Sequence, residues 1–203
     1  LFRSGEANVG RSEQYGDLFP ALITDWRRQW RSDFPFYFVQ LANFMESKKI
    51  QPDSEWAALR EAQTKALKLD QVGMAVTIDI GLADDIHPKN KQEVGRRLAL
   101  VALAGSYGKN VSSSAPVFQN YIIKGNKMEL DFGQKQDGFQ IKGTTLKGFT
   151  IAGPDRVFYP AEAMVHDGKI ILSSTEVPAP LAARYGWADN PDCNLSEIQF
   201  HLV

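Results

Sequence analysis

The stretch VGMAVTIDIGLADDIHPKNKQEVGRRLALVAL (72–103) decides the fold class of this chain. Its first ten residues are almost continuously apolar and end at Gly81, which is typical of a strand buried on both faces of a parallel sheet. Over 89–107 the apolar residues instead recur at steps of three and four, which predicts an amphipathic helix. The buried face of that helix comprises Val94, Leu98, Val101 and Ala102. On its surface, Glu93 and Arg97 are spaced for an ion pair across one turn.

The same alternation of strand and helix precedes this stretch. FPFYFVQLANF (34–44) predicts a second buried strand, and 17–31 and 54–69 predict helices, with Ser54 as the N-cap of the latter. The predicted buried faces are Leu18, Leu22, Ile23, Trp26 and Trp30 in the first helix, and Trp56, Leu59, Gln63, Ala66 and Leu67 in the second. Connections of this length favour right-handed βαβ units, so the sequence predicts an α/β fold with a parallel sheet.

The pattern changes from about residue 111. VSSSAP (111–116) is typical of a linker, and short β-type runs separated by turn signals follow it. The segments Lys124-Gly125-Asn126 and Asp167-Gly168 predict hairpin turns, and no helix of convincing length is predicted in this half. We therefore expect two domains: residues 1–110 in an α/β arrangement, and residues 111–203 as a small antiparallel β domain.

Composition excludes several classes of function. The chain has 203 residues and a formal net charge of −1, and its densest basic cluster, RRQWR (27–31), fits a solvated helix face. Nucleic acid is therefore not an expected partner, because binding phosphates requires a concentrated basic surface. Cys193 is the single cysteine, so neither an intrachain disulfide nor a cysteine cluster for zinc can form. No apolar run is long enough for a membrane span, so no membrane partner is expected.

The loop after the predicted strand 72–81 carries Asp84, Asp85 and His87, and three interpretations are open. In the first, Pro88 occupies the first turn of the following helix and one aspartate caps it. In the second, an aspartate holds the imidazole in one tautomer, so that the other ring nitrogen can accept a proton from a nucleophile. In the third, the three side chains bind a divalent metal ion.

The segment GEAN (5–8) is the second candidate site. We expect it at the end of a first strand, just before the helix 17–31. A tight turn at Gly5 would expose a backbone N–H, and Asn8 would add a side-chain amide, which are the donors of an oxyanion hole. The alternative is an ordinary turn before a helix. Open α/β sheets place their sites where strands lead into helices, which is the position expected for both segments.

Long, ordered motifs carry a resemblance to a known family. They are GEAN, QYGDLFPALITDWRRQW, FPFYFVQLANF and DDIHPKNKQEVGRRLAL, followed by LKGFTIAGPDRVFYPAEA and ARYGWADNPDCNL. Together they span residues 5 to 195 and resemble the sialate O-acetylesterase family of carbohydrate esterases, within the SGNH-hydrolase group. The resemblance implies that 1–110 is the C-terminal portion of an SGNH-type, flavodoxin-like esterase domain, and that 111–203 is a β-rich domain.

The resemblance also implies an activity and roles for residues. Members hydrolyse O-acetyl esters on sugars with a serine and a histidine, so an O-acetylated sugar is the implied substrate and no metal or organic cofactor is implied. His87 matches the general base, and Asp85, or less closely Asp84, matches the group that orients it. The oxyanion hole is matched by Gly5, Asn8 and Glu6. Secretion or a periplasmic location is the family's habit.

The family's serine block has no counterpart here, and Ser4 stands where a glutamine is usual. The resemblance therefore implies a partial chain, whose activity in isolation is an open question. Two alternatives remain. The chain could be a non-catalytic fragment that binds glycan or joins an assembly, with Tyr185 and Trp187 as the aromatic residues for sugar stacking. It could instead be a metal-dependent deacetylase that uses Asp84, Asp85 and His87.

Overall fold

The computed structural model describes residues 5–51, 53–113, 117–133 and 139–197. It divides the chain into two compact units, 1–46 with 54–114 and 47–53 with 115–203. The segment 47–53 therefore joins the second unit, although its position in the sequence suggested the first. The predicted functional domains, 1–110 and 111–203, stay predictions.

The first unit alternates strands and helices as expected. Its described elements are α1 (Ser12–Trp30), β1 (Phe36–Val39), α2 (Glu55–Thr64), β2 (Val72–Ala75) and α3 (Lys91–Gly105), with short 3₁₀ helices at Glu6–Asn8 and Lys65–Lys68. β1 and β2 pair in parallel, with Phe36 opposite Val72, and α2 lies in the connection between them. The α/β class, the three helices and the parallel pairing are confirmed, although each strand is only four residues long.

The buried face of α1 overlaps only in part with the predicted one. Tyr15, Phe19 and Ile23, one helical turn apart, are buried, and the ring of Phe19 packs edge-on against Phe38 in β1. The predictions for Leu18 and Trp30 were wrong, because these side chains are 56% and 77% exposed.

Two further expectations about helices were wrong. Leu67 is exposed, because the chain tightens into a 3₁₀ helix at Lys65–Lys68, where side chains no longer follow the α-helical period. Pro88 does not lie in the first turn of α3, which begins at Lys91. The N-cap is Asn90, whose Oδ1 accepts a hydrogen bond from the backbone N–H of Glu93 at 3.1 Å. Asp84 and Asp85 therefore do not cap this helix.

The Ser54 cap of α2 is confirmed. Its hydroxyl oxygen accepts a hydrogen bond from the backbone N–H of Ala57 at 2.9 Å. The predicted pair of Glu93 and Arg97 is also confirmed, at 2.8 Å.

The second unit is built from antiparallel strands. They are β3 (Asn120–Lys124), β4 (Lys127–Asp131), β5 (Phe139–Ile141), β6 (Phe149–Ala152), β7 (Phe158–Pro160), β8 (Glu162–His166), β9 (Lys169–Ser173), β10 (Ala182–Tyr185) and β11 (Leu195–Glu197). The sheets have the orders β3-β4-β9-β8, β10-β6-β7 and β11-β5. Both predicted hairpins are confirmed, and the positive φ of Asp167 and Gly168 is the geometry that a two-residue turn requires.

The core of the second unit is formed by side chains from these sheets. Its fully buried side chains include Met128, Ile151, Ile170 and Leu172. None of the helices in the described ranges combines the length and apolar character of a transmembrane segment.

Candidate active site

The loops that follow β1 and β2 lie at the same edge of the sheet, because the two strands are parallel. Side chains tie the loops together. The buried hydroxyl of Thr77 donates to the carbonyl oxygen of Gln40 at 2.7 Å, and the backbone N–H of Gly81 donates to Oδ1 of Asn43 at 2.6 Å. The second loop, which continues to His87, is therefore anchored to the first.

Replacing Gly81 by alanine is expected to destabilise this edge of the sheet. A Cβ at Gly81 would collide with the backbone carbonyl of Asn43, which cannot move without shifting its loop. We expect a loss of about 1–3 kcal/mol in the free energy of unfolding, measured by urea denaturation. The control is Gly95→Ala in α3, where a Cβ meets nothing within 4 Å and alanine should stabilise the helix by about 0.5–1 kcal/mol. Equal stability of Gly81→Ala and the original chain would contradict the close approach.

An ion-pair cluster also anchors the start of the loop that follows β2. The Arg97 side chain reaches back from α3 and donates to the carbonyl oxygen of Val76 at 2.8 Å and to Oδ2 of Asp79 at 2.8 Å. It also binds Glu93, whose pKa is lowered to about 2, chiefly by the hydrogen bond from Arg96 and then by Arg97. The pKa of Arg97 itself is raised, first by its hydrogen bond to Asp79. This cluster fixes the start of the loop against α3.

His87 and Asp85 are neighbours in space as well as in sequence. One carboxylate oxygen of Asp85 accepts a hydrogen bond from the backbone N–H of His87 at 2.9 Å and lies 3.5 Å from its Nδ1. The backbone N–H of His87 and its imidazole both hold the pKa of Asp85 below its usual range, the former more strongly. Asp84 is exposed. Of the two aspartates, Asp85 is therefore the one placed to orient the imidazole.

The segment 5–8 forms a tight turn, but not a left-handed one. Gly5 has φ −102°, and the 3₁₀ helix Glu6–Asn8 follows it. Glycine fits here because a Cβ would come within 3.1 Å of the Leu41 side chain in the loop after β1. The backbone N–H of Asn8 donates to the carbonyl oxygen of Gly5 at 2.8 Å. Ser4 lies outside the described residues.

One cleft of about 400 Å³ in the first unit brings the two segments together. Its lining includes Gly5 and Glu6 as well as Ile86 and Pro88, the neighbours of His87. The other predicted site residues, Asn8, Asp84, Asp85 and His87, are not part of its wall. The imidazole of His87 is 58% exposed, and His87 lies in the sequence between two residues that do line the cleft. Their catalytic roles stay predictions.

The alternative of a metal site gains no support from the geometry. Across the described ranges, no three His, Cys, Asp or Glu side chains are arranged to hold a metal ion, and Asp84, Asp85 and His87 all fall within those ranges.

Comparisons with known proteins agree with the resemblance read from the sequence. The chain is 37% identical to mouse (Mus musculus) sialate O-acetylesterase over 94% of its own length, and 35% identical to the human (Homo sapiens) protein of that name over 75%. A crystal structure of a carbohydrate acetylesterase from Xanthomonas citri superposes over 91% of the chain with a TM-score of 0.84 and 43% identity. The chain belongs to the sialate O-acetylesterase-like family. No protein-family model matches it.

The match covers only part of each relative of this family. The chain spans 39% of the mouse sialate O-acetylesterase, 32% of the human one and 43% of the Xanthomonas carbohydrate acetylesterase.

Sequence reasoning missed some of the residues that shape the site. It paired Arg97 with Glu93 but not with Asp79, because only the helical spacing of the first pair is visible in the sequence. Thr77 and Gln40 were read as parts of apolar runs. The signal that could have found them is a polar residue at the end of each buried strand.

Proposed function

We propose that this chain is the histidine-bearing part of a carbohydrate O-acetylesterase and that an acetyl ester on a sugar is its substrate. The observation that supports the proposal is the shared cleft, which is lined by Gly5 and Glu6 and also by Ile86 and Pro88, the neighbours of His87. The identity of 43% to a carbohydrate acetylesterase supports the same chemistry. An SGNH-type sheet for the esterase domain, and a separate β-rich C-terminal domain, belong to the same proposal.

The proposed mechanism assigns one task to each segment. His87 removes the proton from a serine hydroxyl, whose oxygen attacks the acetyl carbonyl carbon. Donors around Gly5 and Asn8, with Glu6 shaping the turn, stabilise the negative charge on the carbonyl oxygen. His87 then passes its proton to the sugar oxygen as the ester bond breaks. Water, activated in the same way, releases acetate and restores the serine. No described serine is assigned as the nucleophile.

A chimera tests this function directly. Residues 5–195 would replace the matching segment of the Xanthomonas carbohydrate acetylesterase, so that the host supplies the parts that this chain does not span. We expect the chimera to release acetate from an acetylated sugar at a rate well above that of the host lacking the segment. A folded chimera without hydrolysis would contradict the proposal.

Replacing Asp85 by asparagine in the chimera should lower kcat about tenfold. The amide keeps the shape of the side chain but removes the charge that favours one imidazole orientation, and the effect is limited because the pair is partly exposed. Asp84→Asn is the matched control and should change kcat less than twofold. The rates are measured by acetate release, and equal effects of the two variants would remove Asp85 from the orienting role.

A further inference from the structure

Gln63 is a polar residue in the wall of the cleft that Gly5 lines, and no step of the proposed mechanism uses it. It lies in the last turn of α2 and is 4% exposed, although its neighbours on the predicted buried face are apolar. Burying an amide is costly unless its oxygen and its NH₂ group both find hydrogen-bond partners. The partners of this side chain therefore indicate what it does.

One end of the Gln63 amide is fixed by the loop after β1. Its Oε1 accepts a hydrogen bond from the backbone N–H of Leu41 at 2.9 Å. Because an N–H group can pair only with the amide oxygen, this contact sets the orientation of the amide and turns the NH₂ group away from Leu41. The same loop is held to α2 at the next residue, where the indole N–H of Trp56 donates to the carbonyl oxygen of Ala42 at 2.7 Å. The amide is therefore held in one orientation before any ligand binds.

The NH₂ group of Gln63 lies beside the Gly5 turn. A Cβ at Gly5 would come within 3.4 Å of Nε2. Among the described residues, Nε2 has no hydrogen-bond partner, and the fully enclosed side-chain atom without one is instead Nε1 of Trp187. Because Gln63 lines the cleft and its Nε2 is not fully enclosed, this donor opens into the cleft next to Gly5.

We propose that Nε2 of Gln63 donates a hydrogen bond to the carbonyl oxygen of the bound acetyl group. This inference rests on the esterase function proposed above and adds a side-chain donor from α2 to the oxyanion hole at the Gly5 turn. A donor that is oriented before the reaction stabilises the negative charge developing on that oxygen without having to reorganise. Gln63 is then a catalytic residue, and its contact with Leu41 aims its NH₂ group.

Titration of acetate into the ¹⁵N-labelled chain tests this contact without catalysis, because the NH₂ group of a glutamine gives its own pair of signals. We expect the side-chain signals of Gln63 and the backbone amide signal of Gly5 to shift saturably with one dissociation constant. The NH₂ group of Gln29, which is exposed on α1, is the control and should not respond. Unchanged Gln63 signals would overturn the inference. The Gly5 and His87 signals then show whether the proposed function fails with it, because their joint shift would leave that function standing.

Gln63→Glu in the chimera tests the effect on the reaction. The introduced carboxylate keeps an oxygen for the N–H of Leu41 but has no N–H to donate, so kcat should fall about a hundredfold with little change in KM. Ser54→Ala is the matched control, because it removes the cap of the same helix but is not part of the cleft wall, and it should leave kcat nearly unchanged. An unchanged kcat in Gln63→Glu, or an equal loss in both variants, would overturn the direct role. The acetate titration uses the original chain, so it decides the question even if Gln63→Glu does not fold.

Discussion

His87→Ala should lower acetyl ester hydrolysis by the chimera about a thousandfold. A general base within reach of its nucleophile contributes on the order of 10²–10⁴ to the rate, and alanine offers no group to accept the proton. Because the imidazole is 58% exposed, its removal should leave the melting temperature within about 2 °C. The effect should therefore fall on kcat, measured by acetate release at saturating substrate, with little change in KM.

His166→Ala is the matched control for this prediction. His166 is also exposed and also lies beside an aspartate, with its Nε2 3.4 Å from Asp167, but it belongs to the hairpin of the second unit. Its replacement should leave kcat unchanged. Equal activities of the two variants would remove His87 from the mechanism and leave only family membership standing.

Arg97→Met should cost about 2 kcal/mol of unfolding free energy and lower kcat about tenfold. Methionine keeps much of the side-chain volume but leaves Asp79 without its bidentate partner and the Val76 carbonyl without a donor. The cost lies between those of exposed and buried ion pairs, because the Arg97 side chain is 20% exposed. The loss of kcat follows because the loop that presents His87 loses its anchor to α3. Urea denaturation and acetate release measure the two effects.

Arg96→Met tests whether kcat depends on the anchor of the loop or only on the positive charge of α3. Arg96 binds Glu93 on the surface of α3, where its side chain is 43% exposed. We expect a cost below about 1 kcal/mol and an unchanged kcat. A fall in kcat equal to that of Arg97→Met would mean that the anchor to Val76 and Asp79 is not what positions the loop.

The cluster around Arg97 should also survive mild acid. A carboxylate with a lowered pKa stabilises the fold above its unfolded pKa and loses this contribution as the pH falls through its folded pKa. For Glu93 the window runs from about 4.5 down to about 2. The stabilisation from Glu93 should therefore be constant above pH about 4.5 and should fall as the pH decreases toward about 2, which urea denaturation at several pH values measures.

The sequence predicted those elements whose side-chain pattern reflects contacts inside one element. Ser54 caps α2 because capping is local chemistry, and Asp167-Gly168 forms a hairpin turn because the required positive φ is a property of the turn itself. The parallel pairing of β1 and β2 followed from two apolar runs joined by a helix. Family motifs also predicted that His87 and the Gly5 turn share one site. The structure lines one cleft with Gly5 and with the neighbours of His87, and the site itself stays a prediction.

The features that the sequence did not predict depend on contacts between different elements of the fold. Trp30 fits the α1 stripe by spacing, but it is the last residue of the helix and its side chain is 77% exposed. Asp79 and Arg97 are 18 residues apart, so only the folded loop reveals their pairing. The cleft in the second unit is lined by residues 47–51 together with segments about a hundred residues later in the chain. No periodicity in the sequence predicts that contact. Long-range contacts of this kind become visible only in the folded structure.

We propose that the Gly5 turn and His87 contact the same acetyl group when substrate or product is bound. Acetate, the expected product, can be titrated into the chain itself while the amide signals of residues 5–8 and the ring signals of His87 are followed by NMR. We expect both sets to shift together with one dissociation constant. Shifts confined to one segment, or two different dissociation constants, would contradict it.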